Sequence, residues 1–469
     1  MNDLLLMKFG GTSMGSAERI RVAARLTREQ HARRPVAIVV SAMSKVTDLL
    51  LDSMRKAELG DQAALQANLQ KLQDRHLETC RELLPKAPQE NLLAGIRNVI
   101  AEFQRIAGGI LMLGVRPLRS VDEAVVTGEK LSALLLAACL DSEGVPSAVV
   151  NGSDVIVTDA FFGNATPLMD PTRAKAQEKL RPLLEDNVVP VVTGFNGATP
   201  DGRPTTLGRG GSDFSASILA AALDASELWI WTDVDGIMTA DPRLVPDARV
   251  LGEVTYNEAA ELAYNGAKVL HPRTLAPLIE KRIPVWSKNS FNLAVPGTRI
   301  VSTLGAPGGA RAVTSMSDVV LVAMESSSAE LSGTRVMARA LDALDRAGAE
   351  VLTFSSSSYR QNFCFLIRQD ELNTALVQLE DAFALELAHG YLKPIEVDEN
   401  VGLLAVVGEG MRGTPGLAGR IFTAISKEKI NIIAIAQGSS ELTICVVVRK
   451  NGLEKAVQAV HAECHMGVA

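Results

Sequence analysis

Several kinds of protein are excluded by what this sequence has little of. Five cysteines (Cys80, Cys139, Cys364, Cys445 and Cys464) are scattered over 469 residues without a C-x-x-C pair, and their odd number argues against a disulfide framework. A reducing cytoplasm is therefore the expected compartment. No uninterrupted apolar run approaches the roughly 18 residues of a membrane span, so no contact with a membrane is expected. Asp3 precedes the short apolar start and no small-residue cleavage site follows, which predicts a first strand and no signal peptide. Basic residues are not in excess: 47 Lys and Arg against 54 Asp and Glu leave a net charge of −7. That excludes a broad nucleic-acid surface and leaves room for a local basic pocket. Neither a Walker A loop nor a protein-kinase H-R-D motif is present. With 47% hydrophobic and 22% charged residues, the chain is too apolar for disorder. Its length suits roughly three domains.

Strand and helix alternate over the first 300 or so residues. Apolar runs at 4–9, 36–41, 145–150, 187–193 and 228–232 read as strands. Helical spacing marks 16–32, 129–140, 171–185 and 214–223, and a helical excursion fills 46–106. This pattern predicts an α/β three-layer sandwich with a mostly parallel central sheet. The Gly-, Pro- and Thr-rich stretch 296–309 predicts a boundary near residue 305, closing a domain of residues 1–305.

Beyond it the sequence repeats without a gap at an offset of 83, so that Leu321 falls on Leu404, Gly333 on Gly416, and Ser356 and Ser357 on Ser439 and Ser440. Each copy reads as strand, glycine-bearing loop, helix, strand, Ser-rich turn, strand and helix. Two small α+β modules are expected, at 313–392 and 400–469, covering their sheets against each other or another subunit.

Five segments carry candidate chemistry. KFGGTS (8–13) follows a buried strand. Its glycines let backbone amides approach a polyanion, and Lys8 offers a point charge. In TLGRGGSD (206–213) three glycines surround Arg209 ahead of an apolar helix, which suits an anion better than a plain cap. Asp213, or Ser212, stands where an N-cap would. WTDVDGIMTADPR (231–243) puts Thr232 and Asp233 at the carboxyl end of a strand, where open α/β sheets bind ligands, and Arg243 is suited to a phosphate. GAKVLHPR (266–273) holds Lys268 and His271, of which the histidine before proline reads as structural. TGEKLS (127–132) sets Glu129 at a helix start, to complement the helix dipole or to bind a substrate ammonium.

Two further patterns are decoys. GEGMRG (408–413) fits a dinucleotide fingerprint, yet Gln437 stands where an acid belongs and the first repeat lacks the glycines. HAECH (461–465) resembles a metal cluster but lies in the C-terminal tail without a second cluster, so a frayed helix end is expected and no metal ligand is assigned.

Taken in order and spacing, KFGGTS, SAMSKVTD, TGEKLS, TTLGRGGSD, WTDVDGIMTADPR and GAKVLHP resemble the signatures of the amino-acid-kinase superfamily, specifically of the aspartate kinases. The resemblance covers essentially the whole chain. Its tail looks like the paired ferredoxin-like ACT modules of that family. AIAQGSSE (434–441) and VPDARVL (245–251) look closest to the kinase half of threonine-sensitive aspartate kinase–homoserine dehydrogenases.

The resemblance implies transfer of the ATP γ-phosphoryl group, with Mg²⁺, to the side-chain carboxylate of L-aspartate. That is the first step toward lysine, threonine and methionine. It also implies feedback by an amino-acid effector, threonine or lysine, and a homodimer or higher oligomer formed through the ACT modules. By the same resemblance Lys8, Phe9, Gly10 and Gly11 form the nucleotide phosphate loop. Thr232, Asp233, Met238, Arg243, Lys268 and Val269 match nucleotide-site positions. Thr47, Glu129, Arg209, Gly210, Gly211 and Ser212 match aspartate-site positions. Lys8, Asp213 and Lys268 match the catalytic set, and Gln437, Ser439, Ser440 and Phe354 the effector positions.

Two departures stand out. Met238 replaces a frequent Tyr, and Phe354 occupies in the first ACT copy the position that Gln437 keeps in the second. A Phe side chain cannot hydrogen-bond a polar effector. Two rival readings are a superfamily kinase acting on glutamate, acetylglutamate or a nucleotide, and a non-catalytic amino-acid sensor. The tandem ACT tail and the full TTLGRGGSD loop oppose the first, and the retained Lys8, Arg209, Asp213 and Lys268 oppose the second.

Overall fold

A computed structural model describes residues 3–267, 270–305, 309–327, 332–357 and 362–467. The chain divides into two compact units. One comprises residues 3–237, 252–256 and 270–303, and the other comprises 238–251, 257–267 and the described residues from 304 to 467.

In chain order the first unit begins with β1 (Leu5–Phe9), α1 (Ala17–His31), β2 (Val36–Val40) and a helical run of α2 (Val46–Glu58), α3 (Gln62–Leu83), α4 (Lys86–Leu113), α5 (Leu118–Val125) and α6 (Thr127–Ser142). It continues through β3 (Ser147–Val150), α7 (Met169–Glu185), β4 (Val189–Thr193), the small hairpin β5 (Asn196–Ala198) and β6 (Pro204–Thr206), α8 (Gly211–Ala222) and β7 (Glu227–Thr232). After β8 (Glu253–Thr255) comes α9 (Tyr256–Tyr264), whose residues from 257 on group with the second unit. The unit closes with α10 (Pro272–Lys281), β9 (Val285–Asn289) and β10 (Thr298–Val301).

The strands form one sheet in the order β3-β4-β2-β1-β7-β9-β10-β8, parallel from β3 to β9, with β10 antiparallel to β9. β1, β2 and β4 are buried throughout, the near-continuous apolar runs that a parallel sheet covered on both faces requires. The alternation of β1 decides where the chemistry sits. Leu5, Met7 and Phe9 enter the core shared with α1, α2 and α6, while Lys8 points to the face carrying α8. The helical excursion is three long helices, because its apolar residues return at helical spacing and bury Leu50, Met54, Leu72 and Phe103 in the same core.

The second unit contains β11 (Ala312–Met324), α11 (Gly333–Ala347), β12 (Thr353–Ser356), β13 (Phe363–Arg368), α12 (Leu372–Ala382), α13 (Ala384–Ala388), β14 (Glu396–Val407), α14 (Leu417–Lys427), β15 (Ile432–Gln437), β16 (Thr443–Arg449) and α15 (Leu453–Glu463). Its sheet is antiparallel in the order β12-β13-β11-β14-β16-β15. Each sequence repeat is thus one βαββα module, and the first strands of the two, β11 and β14, pair at the centre. The α11–α12 pair packs over the first half of the sheet and the α14–α15 pair over the second, giving two separate cores.

Two expectations meet their outcome in this unit. In GEGMRG the first glycine serves packing. A Cβ on Gly408 would stand 2.4 Å from the Gly309 carbonyl oxygen, and the amides of Glu409 and Gly413 donate to Glu258 and Glu441 of the protein itself. HAECH is not a frayed end. His461 is 1% exposed, and its Nε2 lies 3.0 Å from Thr239 Oγ1, a partner 222 residues away that position in the sequence does not reveal. Among the described residues no group of three His, Cys, Asp or Glu is arranged to hold a metal ion, and no helix is long and apolar enough to cross a membrane.

Candidate active site

At the carboxyl ends of β1, β2 and β4 lies a cavity of about 580 Å³. Three chain segments wall it: residues 41–48 after β2, residues 208–213 ahead of α8, and Glu129 in the first turn of α6. Each opens a helix, and none of the three helices has a side-chain cap. The cap positions are Lys45 for α2, Val126 for α6 and Gly210 for α8. The positive ends of three helix dipoles therefore border one space, an arrangement that favours bound anions. Asp213 is in the third residue of α8, so the expected N-cap role falls to Gly210, at φ 69. A Cβ at Gly210 would also press on His271 at 3.1 Å. His271 caps α10 by accepting from the Arg273 amide, which makes it a supporting wall.

Lys8 crosses from β1 to α8 and its Nζ lies 2.5 Å from Asp213 Oδ1. The Lys8 side chain is 9% exposed and that of Asp213 22%, so this pair is shielded from water far more than a surface ion pair. With its charge fixed at the sheet end, Lys8 faces the cavity. The turn after β1 is held close. A Cβ on Gly11 would stand 2.9 Å from the Ala42 carbonyl oxygen, so the glycine lets the two loops touch. The Ser44 amide donates to Gly11 O, and Arg75 of α3 donates to both Ser44 O and Gly15 O, at 2.7 and 3.2 Å. The helical excursion thereby fixes the two loops against each other.

Glu129 is 3% exposed, and its Oε2 is buried without a hydrogen-bond partner. Burial pushes its carboxyl up to about 8, against the pull of backbone amides and the Lys8 charge. A buried acceptor left open on a ligand cavity is costly unless a ligand fills it. A cationic donor, such as an ammonium group, meets that need. Arg209 is exposed on the opposite lip and also lines the cavity.

The structure brings Lys8, Gly11, Thr47, Glu129, Arg209, Gly210, Gly211, Ser212 and Asp213 to one cavity. Phe9 takes part through its backbone. Its ring is buried on the other face, 6.3 Å from that of Trp231, while its carbonyl accepts from the Ser41 amide. Gly10 donates to Trp231 O, joining the turn after β1 to β7, whose end carries Thr232 and Asp233. Met238 and Arg243 belong to the second unit, where Met238 bridges to Val250 and Arg243 pairs with Asp241 at 2.5 Å. Lys268 and Val269 lie outside the described residues.

In the second unit Phe354, Gln437 and Ser440 line a separate cavity of about 640 Å³ along β12 and β15, and Ser439 is not among its lining residues. Sequence reasoning missed Ser41, Met43, Ser44, Lys45 and Phe195 in the first cavity. Phe195 holds φ 73, uncommon for a non-glycine residue, and its ring fills the space beside Gly211. The Gly-Phe-Asn-Gly run just past β4 was the available signal.

The sequence profile of the amino acid kinase family matches residues 3–289, and that of an ACT domain matches residues 404–464. The chain is 36% identical over 469 residues to the bifunctional aspartokinase/homoserine dehydrogenase 1, chloroplastic, of Arabidopsis thaliana, covering 98% of this chain and 51% of that protein. It is 31% identical over 492 residues to the aspartokinase of Schizosaccharomyces pombe, covering 98% of this chain and 92% of that one. It spans about half the length of the bifunctional plant relatives that it matches. Among solved structures, E. coli aspartokinase III in complex with aspartate and ADP superposes with a TM-score of 0.84 at 28% identity, over 98% of this chain and 99% of that one. The same enzyme in complex with lysine and aspartate gives 0.79 over the same shares of the two chains.

Proposed function

This chain belongs to the amino acid kinase family, among the aspartokinases, and from that premise we propose that it phosphorylates the side-chain carboxylate of L-aspartate with MgATP. The observation that carries the reading is the buried Glu129 Oε2, without a hydrogen-bond partner in a cavity that Lys8, Arg209 and helix N-termini also border. Such a site is made for a small molecule with one cationic and several anionic groups. A simple dicarboxylate leaves Glu129 unpaired, and a nucleotide alone supplies no ammonium. In E. coli aspartokinase III, the solved relative, aspartate and ADP are bound together.

The chemistry follows from the charges. A carboxylate nucleophile has an unperturbed pKa of about 3.9 and is ionised at neutral pH, so no general base is needed. One of its oxygens forms the new bond to the γ-phosphorus as the bond from that phosphorus to the departing diphosphate oxygen breaks. The obstacle is repulsion between anions. Lys8 and the α8 amides stabilise charge on the group in transfer. Arg209 holds the α-carboxylate in a two-pronged grip, and Glu129 the α-ammonium. Thr47, Gly210, Gly211 and Ser212 complete the aspartate side. Asp213 keeps Lys8 in place and takes no proton. On the nucleotide side, Thr232 and Asp233 stand at the end of β7, while the roles of Met238, Arg243, Lys268 and Val269 rest on the resemblance. When bound, Mg²⁺ would supply positive charge to the phosphates beside Lys8.

The domain assignment that goes with this reading is a catalytic domain at 1–305 and ACT modules at 313–392 and 400–469. Gln437, Ser440 and Phe354 would contact a threonine or lysine effector. Assembly into a dimer or larger through the ACT sheets, and a cytoplasmic location suited to five free cysteines, complete the proposal. The test is ADP release with MgATP and L-aspartate, repeated with L-threonine and with L-lysine. Aspartate-dependent turnover supports the kinase, and suppression by either amino acid supports feedback. Nucleotide binding without turnover would favour the sensor.

A further inference from the structure

At the end of β9 the chain makes a short strap, Asn289 to Asn292, that grips three separate parts of the first unit: the turn after β1, α1 and the loop that follows β7. The Ser290 hydroxyl and amide both donate to Thr232 O, at 3.2 and 2.9 Å, and Ser13 Oγ lies 2.8 Å from Ser290 Oγ. Ser13 Oγ is also 3.3 Å from Trp231 O. One buried hydroxyl pair therefore ties the turn after β1 to the end of β7. Beside it, Asn289 Nδ2 and Asn292 Nδ2 both donate to Asp235 Oδ1, at 2.7 and 3.1 Å. The Asn289 amide is oriented without ambiguity, because its Oδ1 accepts from the Phe291 amide at 2.8 Å. Arg19 of α1 donates to Ser290 O and lies 3.7 Å over the Phe291 ring. Ser13, Asn289 and Ser290 are all buried, at 1%, 7% and 3% exposure.

This is more than a well-packed turn. β1 is flanked by β2 on one side and β7 on the other, and the order of strands reverses there. Such a switch point opens a crevice between two loops that no backbone ladder joins beyond the strand ends. The two loops here are Gly10–Ser13 and Thr232–Asp235. The strap closes them against each other with side chains that neither loop supplies alone.

We propose that Asn289 and Ser290 are positioning residues for the nucleotide. They act through Thr232 and Asp235 and through Ser13, setting the distance between the phosphate-loop side and the β7 side of the site. Aspartate binding, which depends on Glu129 and α8, is left alone. The proposal rests on the kinase reading above.

The three tryptophans provide the readout. Trp229, Trp231 and Trp286 surround Lys288, the residue before the strap, with ring centroids 4.9, 5.7 and 4.7 Å from its Nζ. Titration of MgADP followed by intrinsic fluorescence gives Kd in the full chain. Asn289→Ala is expected to raise that Kd about tenfold, the worth of a buried hydrogen bond, with the KM for aspartate within about twofold of the parent. Ser290→Ala is expected to do the same and Ser290→Thr, which keeps the hydroxyl, to restore binding. Asn292→Ala, at a half-exposed position, removes only the longer bond and serves if the buried variants do not fold. Its expected rise is about threefold. An unchanged nucleotide Kd in every folded variant, or an equal rise in the aspartate KM, would overturn the proposal. A parent protein that binds MgADP but never turns over aspartate would instead count against the kinase reading and leave the strap's effect on Kd to be judged by itself.

Discussion

The cavity at the ends of β1, β2 and β4 and the cavity along β12 and β15 are similar in volume, about 580 and 640 Å³, yet different in electrical character. The first is lined by Lys8, Lys45 and Arg209 and by three helix starts without side-chain caps, with Asp48, Glu129 and Asp213 set among them. The second has Glu261 and Glu350, hydroxyls, amides and edge strands, and no basic side chain among its described lining residues. Helix N-termini concentrate positive potential at a point, which suits phosphates and carboxylates. Strand edges present alternating donors and acceptors along a line, which suits the neutral polar features of a small ligand. On the proposed reading, the contrast separates a place where charge is stabilised as a bond breaks from a place where a molecule need only be recognised.

The sharpest way to break the contrast is to remove the charge at the centre of the first cavity. Lys8→Met is expected to lower kcat on the order of a thousandfold, as loss of a preorganised charge on a developing phosphoryl anion does. Effector binding in the second cavity should be unchanged by calorimetry. A loss under about tenfold would show that Lys8 is structural. Asp213→Asn should follow, with about a hundredfold loss through a mispositioned Lys8.

Glu129→Gln tests the one acid that the first cavity buries. It is expected to raise the KM for aspartate by about thirty- to a hundredfold, since a charge-assisted bond is replaced by a neutral one. The pH dependence is specific. With the Glu129 carboxyl pushed from 4.5 to about 8 by burial, it is mostly protonated at pH 7 in the empty site. An arriving ammonium requires the carboxylate, so binding should release about one proton per aspartate at pH 7. Calorimetry in two buffers of different ionisation enthalpy measures this, and Glu129→Gln should abolish it. The folded chain holds that proton between 4.5 and about 8 while the unfolded chain does not. Stability of the ligand-free protein should therefore fall as pH rises through that window, and the variant should lose that slope.

Much of this was legible in the sequence, for identifiable reasons. The buried parallel strands could be read because both faces are covered and the apolar runs are nearly continuous. The repeat could be read because β11 and β14 keep one register at an offset of 83, Leu321 to Leu404. Lys8 and the TLGRGGSD loop announced themselves through glycines that only a close approach explains. Other features depend on what packs above them. Glu129 could be read as a complement to the helix dipole or as a partner for a substrate ammonium, but its burial could not, because that comes from the packing of the start of α6 on Ala42 and Val46. Asp213 looked like a cap because Ser-Asp opens many helices, and the left-handed Gly210 takes that place. Phe195 has only the flanking Gly-Phe-Asn-Gly run to hint at its positive φ, and His461 depends on a partner 222 residues distant.

In the second cavity, Gln437→Ala is the corresponding deletion. Gln437 lies at the end of edge strand β15, beside Ser440 on the cavity wall. Removing its amide should raise the half-inhibitory concentration of the effector about tenfold while kcat and the aspartate KM hold. Unchanged inhibition would remove Gln437 from the effector site. A matching change in kcat would mean that the two cavities are not separable in function.

The smallest expected effect is the most informative about the two repeats. Phe354 and Gln437 occupy equivalent places in β12 and β15, yet Phe354 stacks on Phe363, with ring centroids 5.8 Å apart, and Phe363 stacks on Phe365 in turn. The first copy has therefore extended its core to the cavity wall where the second copy keeps a polar contact. Phe354→Gln should cost about 1–2 kcal/mol of stability, since a half-buried ring leaves an aromatic stack. It should also give the first copy the amide that its partner has. If the cavity wall formed by β12 touches the effector, the half-inhibitory concentration should fall about threefold, the gain of one exposed hydrogen bond. If inhibition is unchanged while the melting temperature drops, β12 serves only as scaffold, and recognition belongs to the β15 edge alone. Phe354→Leu separates the two contributions, because it shortens the stack without adding a donor and should lower stability with no effect on inhibition.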